Sequence, residues 1–299
     1  QYVQVYHNAL KHYAKPVANA VGMLADKIIE NKGKKIVLVS LARAGIPIGI
    51  LVKRYIKFKY GINVPHYSIS IIRGRGIDDN AMKYLLEKYR PQQILFVDGW
   101  IGKGAILNEL KKDISAYEGV SADIAVVADP ANVTELCGTH EDILIPSSCL
   151  NSTVSGLISR TFLRDDIIGR DDFHGAVYYG ELTDSDLSYD FIETIEKEFN
   201  MENTPDLEKR VESQGIDEVI NIGKNFGIDD INLIKPGIGE TTRVLLRRIP
   251  WKVLIDERYK GNPQLEHIVR LAEEKHTPVE YYPLTHYKCC GIIKKLADA

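Results

Sequence analysis

Short apolar runs alternate with amphipathic stretches along most of this 299-residue chain, and that rhythm restricts it to an α/β fold. "VANAVGMLADKIIENKG" (17–33) has helical apolar spacing and closes on Gly33, and "KIVLVSLARAG" follows as a buried strand running into a loop. The order then recurs. "IPIGILVKRYIKF" reads as helix, "VPHYSISII" as strand, "AMKYLLEKY" as helix, "QQILFVDG" as strand, "AILNELKKDI" as helix and "ADIAVVADP" as strand. Runs that are apolar on both faces belong to a mainly parallel sheet covered by helices, where ligands gather beyond the carboxyl ends of the strands. Those ends carry Arg43 and Gly45, Arg73 to Gly76, Asp98 to Gly104, and Asp129.

After a helix expected near 187–199, the polar, acidic stretch "NMENTPDLEKRVES" (200–213) reads as a linker between a first unit, 1–199, and a second, 214–299, in which the alternation resumes. The net charge of −3 is unevenly spread, since 178–218 hold 13 Asp/Glu against 3 Lys/Arg and the remainder is basic. An acidic strap on a basic body is compatible with anion binding. No apolar run reaches the roughly 18 residues of a membrane span, so none is expected. Four cysteines (Cys137, Cys149, Cys289, Cys290) without a C-x-x-C pair point to a reducing cytoplasm. The chain starts on Gln rather than Met, so a preceding native stretch is expected.

The loop "LFVDGWIGKGAI" (95–106) ends an apolar run at Asp98 and then bares its backbone around Lys103. It fits neither a Walker P-loop, because Gly104 stands where Ser or Thr should follow the lysine, nor the G-x-G-x-x-G dinucleotide pattern. Bare amides at a helix start, with a lysine beside them, are suited to an anion, and a carboxylate just before them to sugar hydroxyls. Phosphate beside ribose is the expectation.

At this point the sequence resembles a type I phosphoribosyltransferase, through "SLARAGIP", "RGRGIDD" and "FVDGWIGKGA" in that order. The resemblance implies that Asp98 takes the ribose hydroxyls of phosphoribosyl pyrophosphate (PRPP), with Gly99 and Trp100 beside it. Gly102, Lys103, Gly104 and Ala105 would hold the 5′-phosphate. Leu41, Ala42, Arg43, Ala44 and Gly45 would hold pyrophosphate carried with Mg²⁺, and Arg73 and Arg75 would lie on a catalytic loop. Asp129, Asn151, Ser152 and Thr153 would line the acceptor pocket, and a homodimer is implied. Gly99 replaces the second acid of that family, and Gly102 with Lys103 replaces its usual threonine pair. More closely, five blocks over about residues 2–195, among them "EDILIPSSCLNSTVSGLISRT" and "DFHGAVYYGEL", resemble a bacterial group tied to tellurite-resistance and stress operons, described both as StiP cysteine proteases and as phosphoribosyltransferase-like. Members of that group carry a further N-terminal stretch.

Three functions follow as expectations: phosphoribosyl transfer to a base-like or RNA-linked acceptor, thiol proteolysis through Cys149, and a non-catalytic PRPP- or nucleotide-sensing adaptor that binds RNA. Transfer suits arginines and amides, which neutralise a pyrophosphate leaving group. Proteolysis needs a base beside the thiol, and His140 and His174 are the nearest in sequence to Cys149. His140, Glu141 and Asp142 cannot all face one metal from an extended strand, so surface or capping roles are expected and no protein-only metal site.

The second unit, from "LIKPGIGETTRVLLRRIPWKVLIDE" to "CCGII", resembles the Pelota and kink-turn-binding superfamily, a small αβα sandwich. RNA contact is implied for Lys235, Gly237, Gly239, Glu240, Thr241, Arg243 and Arg247, where close backbone approach meets arginines at helical spacing.

Overall fold

The structure is a computed structural model and describes residues 1–206 and 211–296. Helix α1 (Tyr2–Lys32) leads to β1 (Val37–Leu41), α2 (Gly45–Tyr60), β2 (His66–Ile69), the short pair β3 (Ile71–Ile72) and β4 (Gly76–Ile77), and α3 (Asp79–Lys88). Then come β5 (Ile94–Trp100), α4 (Ala105–Ile114), β6 (Ile124–Ala128), β7 (Cys137–Thr139) and, after a long irregular segment, α5 (Ser188–Glu196). Strands β2-β1-β5-β6-β7 form one sheet whose neighbouring strands are all parallel.

Period-two alternation divides each central strand between two apolar layers. Val37, Val39 and Leu41 of β1 and Ile94 and Phe96 of β5 face α3 and α4, where Met82, Leu85, Leu107 and Leu110 meet them. Leu38, Leu95 and Val97 point the other way, onto α1 and α2. The expected helix at 17–33 is the latter half of a 31-residue helix with Pro16 inside it. Proline at a first helical position is favoured, which is why the sequence reads as a start there. Val5, Tyr6, Ala9, Leu10 and Tyr13 are nevertheless buried on the preceding turns and hold the helix through the proline.

The second unit contains α6 (Gly215–Phe226), β8 (Ile234–Pro236), α7 (Ile238–Arg247), β9 (Pro250–Ile255), α8 (Glu266–Glu274), β10 (Val279–Tyr281) and β11 (Cys289–Ile293). Its separate sheet has the order β10-β9-β11-β8, with β11 antiparallel to both neighbours. Ile238, Leu245, Val253, Ile268 and Leu271 belong to the same apolar cluster as α1, so the two sheets share a core across the boundary. Within the expected linker, residues 207–210 lie outside the described residues. Around them, Asp206 accepts from Thr139 Oγ1 at 2.7 Å and from the His140 amide at 2.9 Å, and Asn203 donates to Tyr55 Oη at 2.7 Å. No helix among the described residues is long and apolar enough to cross a membrane.

Candidate active site

Two cavities collect the chemistry-bearing residues, and they share no lining residue. The first, of about 310 Å³, lies at the carboxyl ends of β1 and β5 and gathers Arg43, Arg73, Trp100 and Asn151. Arg43 donates to the Ile158 carbonyl at 3.3 Å, and burial together with the charges of Arg243 and Arg160 holds its pKa below the ordinary arginine value. Asp98 accepts the Gly99 amide at 2.8 Å, and burial with the nearby Glu240 pushes its pKa up to about 7.

The 102–105 loop turns at Gly104 (φ 96°) into α4, but Lys103 donates to the carbonyls of Ile231 and Ile234 at 2.9 and 3.0 Å. Burial and the neighbouring Lys235 lower its pKa to about 8. Tyr287 Oη donates to the Gly102 carbonyl at 2.7 Å. The second unit thus closes over the loop proposed for 5′-phosphate. Arg75 is exposed and lies outside the cavity lining, Ser152 and Thr153 form one tight turn, and Asp129 sits in the other cavity's neighbourhood.

The residues implied in RNA contact are also turned inward. Ile238, at the start of α7, donates to Asp142 Oδ1, Glu240 accepts from Trp100 Nε1 at 3.1 Å, and Arg247 donates to the Cys149 carbonyl at 3.0 Å. Lys235 and Thr241 meet through a 3.4 Å bond, Thr241 being fully buried. Gly237 adopts φ 97°, and Gly239 packs near Ser148.

Cys149 is fully buried, and burial pushes its thiol up to about 12. No described histidine bonds its sulfur. His174 instead meets Ser70 Oγ at 2.8 Å. His140 meets a different cysteine: its Nε2 lies 3.5 Å from Cys137 Sγ. Register explains the meeting, because β6 and β7 pair Val126 with Cys137 and Ala128 with Thr139, which brings Asp129 beside His140. His140 Nδ1 is 3.0 Å from the Asp129 carbonyl and 3.7 Å from its Oδ2. That carboxylate is held by the amides of Val133 and Thr134, both at 2.8 Å, while Oδ1 has no partner.

Cys137 is the member of this cluster absent from the residues expected to be functional. Its available signal was C-x-x-H following an aspartate at the preceding strand end. Burial pushes the Cys137 thiol up to about 12 as well, so it rests protonated. His140 opens onto the second cavity, of about 400 Å³, together with Gly138, Glu141, Arg258 and Tyr259. The donor atoms of Asp129, Cys137 and His140 lie within 4.8 Å of one another, close enough to share a metal ion. A soft, zinc-like ion would suit a thiolate with an imidazole.

Residues 1–196 match the family model described as "Tellurite-like stress resistance cysteine protease StiP". The chain belongs to the StiP family. A relative from Acinetobacter baylyi, described as "Cysteine protease StiP", is 31% identical over 317 aligned positions that take in 99% of this chain and 82% of that protein. Residues 213–295 match the Pelota RNA-binding domain model. For this StiP-family chain the expectation of a phosphoribosyltransferase is corrected, because both the family and the near-full-length relative are described as cysteine proteases. Arginines and a strand-end aspartate made transfer attractive in the sequence, but those residue types suit any anion cavity and do not specify a reaction.

Proposed function

We propose that the chain is a cysteine-dependent peptidase in which Cys137 is the nucleophile, His140 the base, and Asp129 the group that orients the imidazole. The observation that carries this reading is the 3.5 Å approach of Cys137 Sγ to His140 Nε2. A proton on Nδ1, donated to the Asp129 carbonyl, leaves the Nε2 lone pair facing the thiol. His140 would take the Cys137 proton as sulfur attacks the scissile carbonyl, then hand it to the departing amine. Water, activated by the same nitrogen, would attack the thioester, release the acid and restore the thiol. The Asp129 carboxylate offsets the transient imidazolium charge. Because Cys137 has no solvent contact, the segment around His140 must open as substrate enters.

The test labels the full chain with a peptidyl thiol-reactive inhibitor and maps the adduct by mass spectrometry. Modification of Cys137, lost in His140→Ala, is expected. An adduct on Cys149 returns the role to that residue, and no adduct together with no peptide cleavage overturns the peptidase reading.

For the second unit we infer RNA contact, supported by its Pelota-model match. Since Ile238, Glu240 and Arg247 are engaged with the first unit, contact through the 237–247 helix requires the units to part. Filter binding across a salt series tests it: affinity that falls steeply with salt and rises in Asp142→Ala is expected, and salt-independent affinity sinks it.

A further inference from the structure

Asp129 follows β6, Cys137 opens β7 and His140 comes just after β7, and their donor atoms lie within 4.8 Å of one another. Zinc holds sulfur at about 2.3 Å and an imidazole nitrogen at about 2.0–2.1 Å, so a tetrahedral ion sets the two about 3.6 Å apart. Cys137 Sγ and His140 Nε2 stand at 3.5 Å.

The surroundings of these donors point the same way. His140 Nδ1 faces the Asp129 carbonyl at 3.0 Å, the kind of outer hydrogen bond that orients a metal-binding imidazole and leaves Nε2 for the ion. Asp129 is fully buried, and its Oδ2 accepts the Val133 and Thr134 amides whereas Oδ1 has no partner. Buried polar atoms are nearly always bonded, so a bare carboxylate oxygen beside a thiol and an imidazole is a second, independent sign of a missing cation.

We propose that a soft divalent ion of the zinc class binds Asp129, Cys137 and His140 and holds the peptidase inactive, an inference that rests on the peptidase reading of Cys137. The ion takes the place of the Cys137 thiol proton, which leaves to solvent as the sulfur–zinc bond forms. Thiolate and carboxylate together balance its two charges, so the filled site is neutral where burial penalises net charge. That bond occupies the sulfur electron pair needed for attack, and a nitrogen–zinc bond occupies the Nε2 pair needed to accept the proton. Removing the ion returns both. Gly138 and His140 line the second cavity, which gives the ion a way in and leaves its fourth position to water. Magnesium and calcium, which prefer oxygen ligands, do not suit the sulfur and the imidazole.

The experiment titrates cobalt(II), a spectroscopic stand-in for zinc, into the reduced, metal-free full chain and then adds zinc, magnesium or calcium. One cobalt per chain with sulfur-to-cobalt charge-transfer absorption is expected, displaced by zinc and by neither of the other two. The absorption should vanish in Cys137→Ala and persist in Cys149→Ala. Zinc affinity should fall roughly tenfold or more in Asp129→Asn, which keeps an acceptor for the two amides. In parallel, saturating zinc should slow labelling of Cys137 by a peptidyl thiol-reactive inhibitor roughly tenfold or more, and a chelator should restore it. No sulfur–cobalt absorption, absorption unchanged in Cys137→Ala, labelling indifferent to zinc, or peptide cleavage that requires zinc overturns the proposal. The two readings fail separately. A metal-free chain that labels and cleaves but binds no cobalt through sulfur sinks the zinc inference alone. One that binds cobalt through Cys137 yet neither labels nor cleaves sinks the peptidase reading, and the inhibitory role with it.

Discussion

Asp142 Oδ1 accepts the Ile238 amide at 2.9 Å and Oδ2 the Lys288 amide at 2.8 Å, so one buried carboxylate of the first unit holds two backbone donors of the second. Ile238 opens α7, where amides lack intrahelical partners and the helix dipole favours a negative group. Asp142→Ala leaves both donors unpaired, at a cost of roughly 1–3 kcal/mol each, reduced because a charge no longer has to be buried. Amide exchange at Ile238 and Lys288 should quicken by about tenfold or more, a factor corresponding to about 1.4 kcal/mol. Unchanged exchange, followed by NMR, would show that this carboxylate does not join the units.

The charge state of Asp98 carries a pH dependence. Its folded pKa, raised to about 7 by burial and Glu240, lies above the ordinary value of 3.8. The unfolded chain therefore loses this proton first as pH rises. The stability associated with neutral Asp98 is complete below 3.8, declines through the intervening range and is gone above 7. Asp98→Asn, which keeps an acceptor for the Gly99 amide, should gain melting temperature over wild type increasingly from about pH 4 to 7 and then hold a constant lead. A lead that is equal at all pH values rules out the raised pKa.

Gly138 fits between Cys137 and His140 only because it has no side chain. An added Cβ would stand 2.1 Å from the Ala20 carbonyl oxygen of α1, and a helix backbone cannot give way as a side-chain tip can. Gly138→Ala should destabilise the chain by about 1–3 kcal/mol or more and move the Cys137 sulfur relative to His140. Thermal unfolding measures the first effect. Slower thiol alkylation than in wild type, measured below the melting range, would report the second.

What was legible in the sequence follows from how far each signal reaches along the chain. The β1 and β5 runs announce themselves because both faces are buried, and Val37 and Leu38 differ only in which helical layer they meet. The Cys137 site was hidden because β7 has three residues, too few for a period, and its chemistry arises from pairing with β6. Pairing is a long-range property. His140, Glu141 and Asp142 read as neighbours on one strand, yet the strand ends at Thr139, after which His140 meets Asp129 and Asp142 reaches α7. The capping role expected within that triplet falls to Asp142, across the unit boundary. Arg160 and Ser147 lie in the irregular stretch between β7 and α5, where no hydrophobic pattern assigns a side chain to a cavity.

The three residues around Cys137 should separate by kinetics. Removing the nucleophile with Cys137→Ala should abolish peptide cleavage, a fall on the order of 10⁴-fold or more, and His140→Ala should cost nearly as much because the two act as one unit. Asp129→Asn retains an acceptor for the Val133 and Thr134 amides but removes the charge facing His140, so kcat should fall by roughly 10²- to 10⁴-fold with KM little changed. Cys149→Ala, which deletes a buried sulfur remote from any bonded histidine, should leave cleavage near wild type. Chelation decides between two uses of the same cluster. Activity that survives a strong zinc chelator is the behaviour of a thiol nucleophile, whereas activity lost on chelation and restored by zinc assigns Asp129, Cys137 and His140 to a metal centre instead.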